Sequence, residues 1–362
     1  MSVEKWVRPN VLSMAGYQPG EQPKAGEKVI KLNTNENPYG PPPAVMQAMA
    51  EALTDDTMRR YPAPDAYAVR EAAARALGHG LTPQQVIVGN GSDDLLTMIL
   101  RTFIDPNDLV ATMDPTYTLY APLTTIQGGR YTEVAWDAGD NLPLEKLVAL
   151  KAKVIFVTRP NAPTGHVIPL QDVAELCRRT LDQGVVILDE AYGDFAEDHG
   201  LPLLKDHSNL IVTRSASKSL SLAGMRIGFG FMAQELALQM HKVRDSYNVD
   251  HVAQMAALAA FNNLHAYAPR IAEICKQRQE SHQALTARGF TVRPSQANFL
   301  LAKIPAGPLD GPGWLAALKQ RRILVRYFAK DPQLAGWLRI SIGTTEEMAA
   351  LMQAIDEIML SN

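Results

Sequence analysis

The stretch NLIVTRSASKSLSLAGMRIGFGF places one lysine, Lys218, among small hydroxyl residues, after one β-rich run and before Gly224, Arg226 and a second. Most lysines are solvated surface groups. One crowded by Ser215 and Ser217 sits in a partly dry setting that lowers its pKa and makes its amine nucleophilic toward an aldehyde. Four other segments put polar groups at probable strand ends. VVILDEAY runs an apolar strand into Asp189, Glu190 and Tyr192, and a carboxylate ending a buried strand is costly unless a cation meets it. KVIFVTRPNAPTG holds Asn161 in a loop constrained by Pro160, Pro163 and Gly165. DPTYTLY puts Tyr117 at the carboxyl end of a strand, where open α/β sheets build their ligand crevice and a ring can stack on a flat ligand. VGNGSDDLL turns through Gly91 into a helix started by Ser92, Asp93 and Asp94, a junction that points free backbone N–H groups at an anion. Taken singly, each has an ordinary structural reading: a helix cap, a packed aromatic, a rigid turn.

The elements that must position these residues follow from the hydrophobic pattern. From about residue 85 to 232, the short runs QVIVG, DLVATM, KVIFVT, VVILDE, NLIVTRS and IGFGFM alternate with longer amphipathic stretches, which predicts a mainly parallel sheet covered by helices. PLQDVAELCRRTLDQG reads as a helix with Pro near its start and Gly at its end, leading into VVILDE as one βαβ unit. After about residue 250 come Ala-, Leu- and Gln-rich helical segments, then the β-like runs GFTV, NFLLAKI, ILVRYF and LRISIG, then a helix from Thr345: a smaller α+β domain. In LRISIG the alternation sets Arg339 with Ser341 on the face opposite Leu338, Ile340 and Ile342.

Bulk properties exclude several classes. A chain of 362 residues implies two or three domains. Its formal net charge of -3 leaves no basic excess for a nucleic-acid footprint. No apolar run reaches membrane-spanning length, and the amino terminus lacks the charged-then-apolar plan of a signal peptide. Cys177 and Cys275 are far apart and suggest neither a disulfide framework nor a metal site, as suits a reducing cytoplasm. The GNGS turn does not match the dinucleotide or Walker fingerprints.

The order Asn161, Asp189, Tyr192, Lys218, Arg226 resembles the signature of fold-type-I pyridoxal-5'-phosphate (PLP) aminotransferases, and the resemblance extends over nearly the whole chain. It implies an α/β fold: an N-terminal arm (1–35) joining the small domain, a large PLP-binding domain (36–250) with a mainly parallel seven-stranded sheet flanked by helices, and a small α+β domain (251–362). It implies Lys218 as the Schiff-base lysine, Asp189 against the protonated pyridine nitrogen, Asn161 and Tyr192 on the phenolic oxygen, and Tyr117 stacked on the ring. The phosphate would lie among Gly91, Ser92, Asp93, Ser215, Ser217 and Arg226, with Tyr61 also a cofactor-binding residue. Together these parts fit a single chemistry. The carboxylate keeps the ring protonated so that electrons from a breaking Cα–H bond drain into it, and the freed lysine shuttles the proton.

LNTNENPYGPPPAV and RRYPAPDA near the start, GNGSDDLL, and ILVRYF and LRISIGTTEE near the finish resemble the histidinol-phosphate branch of these enzymes. That resemblance implies a substrate site made by Tyr17, Asn161, Arg326, Arg339 and a Tyr61 donated across a homodimer, with an amino donor and 2-oxoglutarate as small-molecule partners in ping-pong order. An Arg fork binds a phosphate or a carboxylate bidentately, so one site can serve both half-reactions. The chain departs from the branch at Arg159 and Ala162, where Asn is common, and in SASKSLSL, which lacks the usual Thr and the aromatic after the lysine. Aromatic amino-acid aminotransferases and threonine-phosphate decarboxylases share the same lysine. A PLP-binding domain fused to a transcription regulator would carry an added DNA-binding segment and a basic patch, and a scaffold role would leave the ordered Asn, Asp, Lys and Arg unexplained.

Overall fold

The computed structural model describes residues 3–17, 19–24 and 26–361. Its strands are β1 (Ile30–Leu32), β2 (Val86–Gly89), β3 (Leu109–Asp114), β4 (Arg130–Ala135), β5 (Val154–Thr158), β6 (Val185–Asp189), β7 (Leu210–Ser215), β8 (Gly228–Met232), β9 (Thr291–Val292), β10 (Phe299–Lys303), β11 (Ile323–Tyr327) and β12 (Trp337–Ser341).

A seven-stranded sheet has the order β2-β8-β7-β6-β5-β3-β4. Only β8 runs antiparallel to its neighbours. Strands β5, β6 and β7 are buried along their whole length and open as apolar runs, VIFV, VVIL and LIV, as a parallel sheet covered on both faces requires. Their side chains alternate between two cores. Ile87, Val110, Phe156, Ile187 and Ile211 pack on one face, and Val86, Ala111, Ile155, Val186 and Val212 on the other. From the centre the chain winds outward both ways, β3 to β4 on one side and β5 to β6 to β7 on the other. The carboxyl ends of β3 and β5 therefore open a crevice at a topological switch point.

The smaller sheet, β1-β11-β12-β10-β9, is antiparallel except for the β1/β11 pair. Two strands carry no clear sequence signal, for physical reasons. β1 has three residues, and β4 (RYTEVA) is an edge strand with a single buried position, so it lacks an apolar run.

Dividing the chain at residue 250 would assign the helix His251–Asn262 to the small domain. Instead Ala253, Ala256, Ala257 and Ala260 bury that helix in the large-domain core, where it packs against Pro43–Ala52 and Tyr67–Leu77. Their short side chains allow this close approach. We propose a boundary near Tyr267, after which the helix Ala268–Ala287 brings Ile274 and Leu285 to the small core. The N-terminal arm touches both bodies: Arg8 Nη2 donates to the Ile126 carbonyl at 2.7 Å, while β1 joins the small sheet. No helix among the described residues is long and apolar enough to cross a membrane.

Candidate active site

Loops at the carboxyl ends of β3, β5, β6 and β7 converge with the start of the helix Ser92–Phe103 and with the β11–β12 face of the small sheet. They enclose a cavity of about 310 Å³. Tyr17, Ser92, Asp93, Tyr117, Asp189, Tyr192, Ser215, Ser217, Lys218, Arg226, Arg326 and Arg339 all line it.

Asp189 ends β6 and is buried. Its Oδ2 accepts from the Tyr120 hydroxyl at 2.7 Å, and its Oδ1 accepts from the Thr213 hydroxyl at 3.1 Å and the Ala191 N–H at 3.2 Å. Burial pushes this carboxyl up, against the pull of those three donors. Among the described residues no lysine or arginine forms an ion pair with it. A buried carboxylate supplied with neutral donors alone is a site prepared for a cation. Tyr120 is itself fixed, stacked on Phe156 at 4.2 Å between ring centroids and 2.8 Å from the Thr158 hydroxyl.

Lys218 follows β7, and its Nζ donates to the Thr34 carbonyl at 3.1 Å. Burial lowers its pKa to about 8, and Arg339 and Arg226 push the same way, against Glu36 and Asp93. The amine is thus partly unprotonated near neutrality, which makes it a usable nucleophile. Tyr192 stands beside it, Nζ lying 5.7 Å from the ring centroid. The Tyr192 hydroxyl accepts from Asn35 Nδ2 at 2.9 Å.

The third corner is the Gly91 turn. Gly91 has φ +86°, which disfavours any side chain, and a Cβ there would also come within 2.6 Å of Arg226 Nη2 and push that guanidinium aside. Arg226 Nη1 donates to the Ser217 hydroxyl at 3.3 Å, and its Nη2 is 3.7 Å from Asp93 Oδ2. The amino end of a 12-residue helix, an arginine and two serines make an anion cradle. Tyr117 leans over the crevice with its hydroxyl 3.2 Å from Asp93 Oδ1.

Across the cavity, Arg339 and Arg326 are paired positions on adjacent strands. Arg339 Nη2 donates to the Asn33 carbonyl at 3.1 Å. Its guanidinium lies 5.4 Å from the Phe299 ring and 5.5 Å from Phe328, and its buried Nε has no partner among the described residues. Burial lowers its pKa, opposed by Tyr192. Arg326 Nη1 donates to the Pro19 carbonyl at 3.2 Å, and Tyr17 meets Tyr117 edge-on at 6.2 Å.

Three expected residues are not among those lining the cavity: Gly91, whose turn leads into Ser92, and Asn161 and Tyr61. Asn161 is fully buried, and its carboxamide is engaged by the protein: Nδ2 donates to the Pro115 carbonyl at 3.0 Å and to Thr164 Oγ1 at 2.7 Å, while Oδ1 accepts from Thr116 at 3.1 Å. Tyr61 is 80% exposed and stacks on Tyr247, outside the lining. Conversely, Tyr120, Asn35 and Thr213 hold the site and have no sequence signal of their own, and Ser341, set beside Arg339 by alternation, joins them. Ser341 donates to Asn35 Oδ1 at 3.0 Å. The only hints were the position of Tyr120 three residues after Tyr117 and that of Asn35 inside LNTNENPYG.

An unpaired carboxylate, an activated amine, an aromatic wall and an anion cradle together suit a flat ligand with a cationic ring nitrogen, an aldehyde and an anionic tail. Similarity to known proteins points the same way. The family model for aminotransferases of class I and II matches residues 27–355. The chain is 40% identical to histidinol-phosphate aminotransferase 1 of a Nostoc species, over 98% of this chain and 99% of that one. It is 41% identical to the histidinol-phosphate aminotransferase of Geotalea uraniireducens, over 97% and 99%. The crystal structure of histidinol-phosphate aminotransferase from Sinorhizobium meliloti in complex with pyridoxal-5'-phosphate superposes with a TM-score of 0.87 at 27% identity, covering 98% of each chain. The chain belongs to the class I and II aminotransferase family.

Proposed function

We infer that the protein is a histidinol-phosphate aminotransferase: with pyridoxal 5'-phosphate as cofactor, it moves the amino group of L-histidinol phosphate to 2-oxoglutarate, giving imidazole acetol phosphate and L-glutamate in histidine biosynthesis. The observation that carries the reaction type is the placement of Asp189, its buried carboxylate met by neutral donors, and of the Lys218 amine in the lining of one cavity. The substrate is supported by full-length relatedness at about 40% identity to enzymes of that name.

The bound cofactor supplies an electron sink for the Cα–H bond of the substrate. In this reading Asp189 holds the ring nitrogen in its cationic form, with Tyr120 and Thr213 fixing the carboxylate. Gly91, Ser92, Asp93, Ser215, Ser217 and Arg226 hold the phosphate, and Tyr117 covers the ring. Tyr192 and Asn161 serve the phenolic oxygen; for Asn161 this means giving up one of its two present N–H partners. Lys218 would anchor the cofactor and, as a buried amine beside the substrate, would carry the proton that leaves Cα. Arg339 and Arg326, with Tyr17, take the phosphate of the donor and then the distal carboxylate of the acceptor. The planar forks meet both anions.

A homodimer completes the site in this reading, since Tyr61 is exposed and stacked outside its own chain's cavity. Two unpaired cysteines accord with a cytoplasmic setting. The test is steady-state turnover with 2-oxoglutarate and histidinol phosphate, histidinol, phenylalanine or threonine phosphate. Histidinol, which lacks the phosphate, should lose about 10- to 100-fold in kcat/KM, the worth of one or two charge-assisted hydrogen bonds. A preference for phenylalanine would overturn the substrate assignment and leave the chemistry standing.

A further inference from the structure

Asp189 and Lys218 are each followed by a residue that the chemistry above does not use, and the two are joined beneath the cavity. Glu190, next to Asp189, has a fully buried side chain, and its Oε2 accepts from Arg214 Nε at 3.1 Å. Arg214 lies on β7 just before Ser215 and is almost as buried. Its Nη1 pairs with Asp194 Oδ1, and the other oxygen of Asp194 accepts the hydroxyl of Ser219, the residue after Lys218. The Lys218 carbonyl is also held, by Asn37 Nδ2 at 2.9 Å.

The far oxygen of Glu190 accepts the Gly200 N–H at 2.7 Å and lies 3.8 Å from Arg159 Nη1. Arg159 pairs with Asp198, and its backbone N–H donates to the Asp189 carbonyl at 2.8 Å. A buried ion pair is weak evidence for stability, because apolar residues of similar volume often serve as well. What such a network adds is geometry. Here it links the backbone at the carboxylate to the backbone at the amine.

We propose that Arg214 is a positioning residue: through Glu190 on one side and Asp194 and Ser219 on the other, it fixes the separation and orientation of Asp189 and Lys218. This rests on the roles given to those two residues above. The groups act at opposite ends of one rigid ring, so relaxing either anchor tilts the ring against the amine while substrate contacts on β11 and β12 stay intact. Misplacement on the scale of 1 Å costs up to about 100-fold in rate.

The experiment compares the cofactor-loaded wild type with Ser219→Ala, Arg214→Lys and the double variant. It measures kcat, KM for histidinol phosphate, and the pH titration of the visible cofactor band. Ser219→Ala should lower kcat about tenfold with KM within about twofold, and shift the band's titration midpoint by about half a unit or more. Arg214→Lys keeps the charge but loses the fork that spans two carboxylates; kcat should fall about 100-fold. The double variant should be no worse than Arg214→Lys, since both changes cut one chain.

Wild-type kcat and an unmoved titration in folded Ser219→Ala would overturn the proposal, as would additive losses in the double variant. If Arg214→Lys does not fold, Ser219→Ala decides alone, because Asp194 keeps its arginine there. Lys218→Ala is the control: were it active, the underlying reading would fail, whereas an inactive control beside wild-type behaviour in Ser219→Ala sinks only the positioning role.

Discussion

The cavity has two unlike walls. At the ends of the large sheet, Asp189 takes three donors, Tyr120 is locked between Phe156 and Thr158, and a buried network runs beneath. On the small-sheet side, Arg339 holds one carbonyl and leaves Nε unmatched among the described residues, Arg326 reaches a loop carbonyl, and Tyr17 is 42% exposed. The first wall is preorganised for one rigid ligand, which makes electrostatic catalysis effective. The second keeps a buried donor, the Arg339 Nε, available for a ligand. That suits a site receiving a phosphate in one half-reaction and a carboxylate in the next.

Substitutions on the two walls should therefore separate chemistry from substrate recognition. Lys218→Ala has the largest expected effect: turnover falls by at least about 1,000-fold with an unchanged circular dichroism spectrum, since the proton carrier is gone. Asp189→Asn should follow at about 100-fold in kcat, with faster cofactor loss on dialysis, because the amide no longer charge-matches a cationic ring nitrogen. Arg339→Ala belongs to the other wall: KM for histidinol phosphate rises about 10- to 100-fold, while cofactor retention stays within about twofold of wild type. A parallel loss of cofactor in that variant would erase the distinction between the walls.

Two smaller effects sharpen the contrast. In the cofactor-free protein, burial sets Lys218 near 8. Its free-amine fraction, and with it the rate of covalent cofactor capture, should rise about tenfold per pH unit below that value and flatten above it. A climb continuing past pH 10, followed at the visible band, would mean an ordinary solvated lysine. Tyr120→Phe removes one donor from a buried carboxylate, at an expected cost of about 1–3 kcal/mol in stability by urea titration, with a few-fold loss in kcat. An unchanged midpoint would show that Tyr120 does not support Asp189.

The same contrast explains which residues are legible in the sequence. Asp189 stands out because it closes an apolar strand buried on both faces, and Lys218 and Arg226 because they lie among small residues between two strands. On the small sheet LRISIG is legible by alternation, and Arg339 does share its face with Ser341, which bonds the cavity-lining Asn35. Tyr120 and Thr213 are hidden because an aromatic in a helix and a threonine in a strand look like packing until their hydroxyls are seen on Asp189. Asn35 is hidden because its left-handed φ of +56° and its contacts with Tyr192 and Ser341 join segments distant in sequence. The helix His251–Asn262 shows the same limit: its alanine-rich pattern fits either domain, and only packing assigns it. Asn161 is the converse. The sequence singles it out, and the structure ties its carboxamide to Pro115, Thr116 and Thr164.

The central claim, that Lys218 and Asp189 work a bound cofactor on histidinol phosphate, is tested most directly by a single turnover without any oxo acid. The cofactor-loaded protein is mixed with histidinol phosphate and the visible cofactor band is followed. Rapid, saturable loss of the band is predicted, with the limiting rate preserved and the half-saturating concentration raised in Arg339→Ala. A band unaffected by histidinol phosphate, or lost faster with phenylalanine, would contradict the claim.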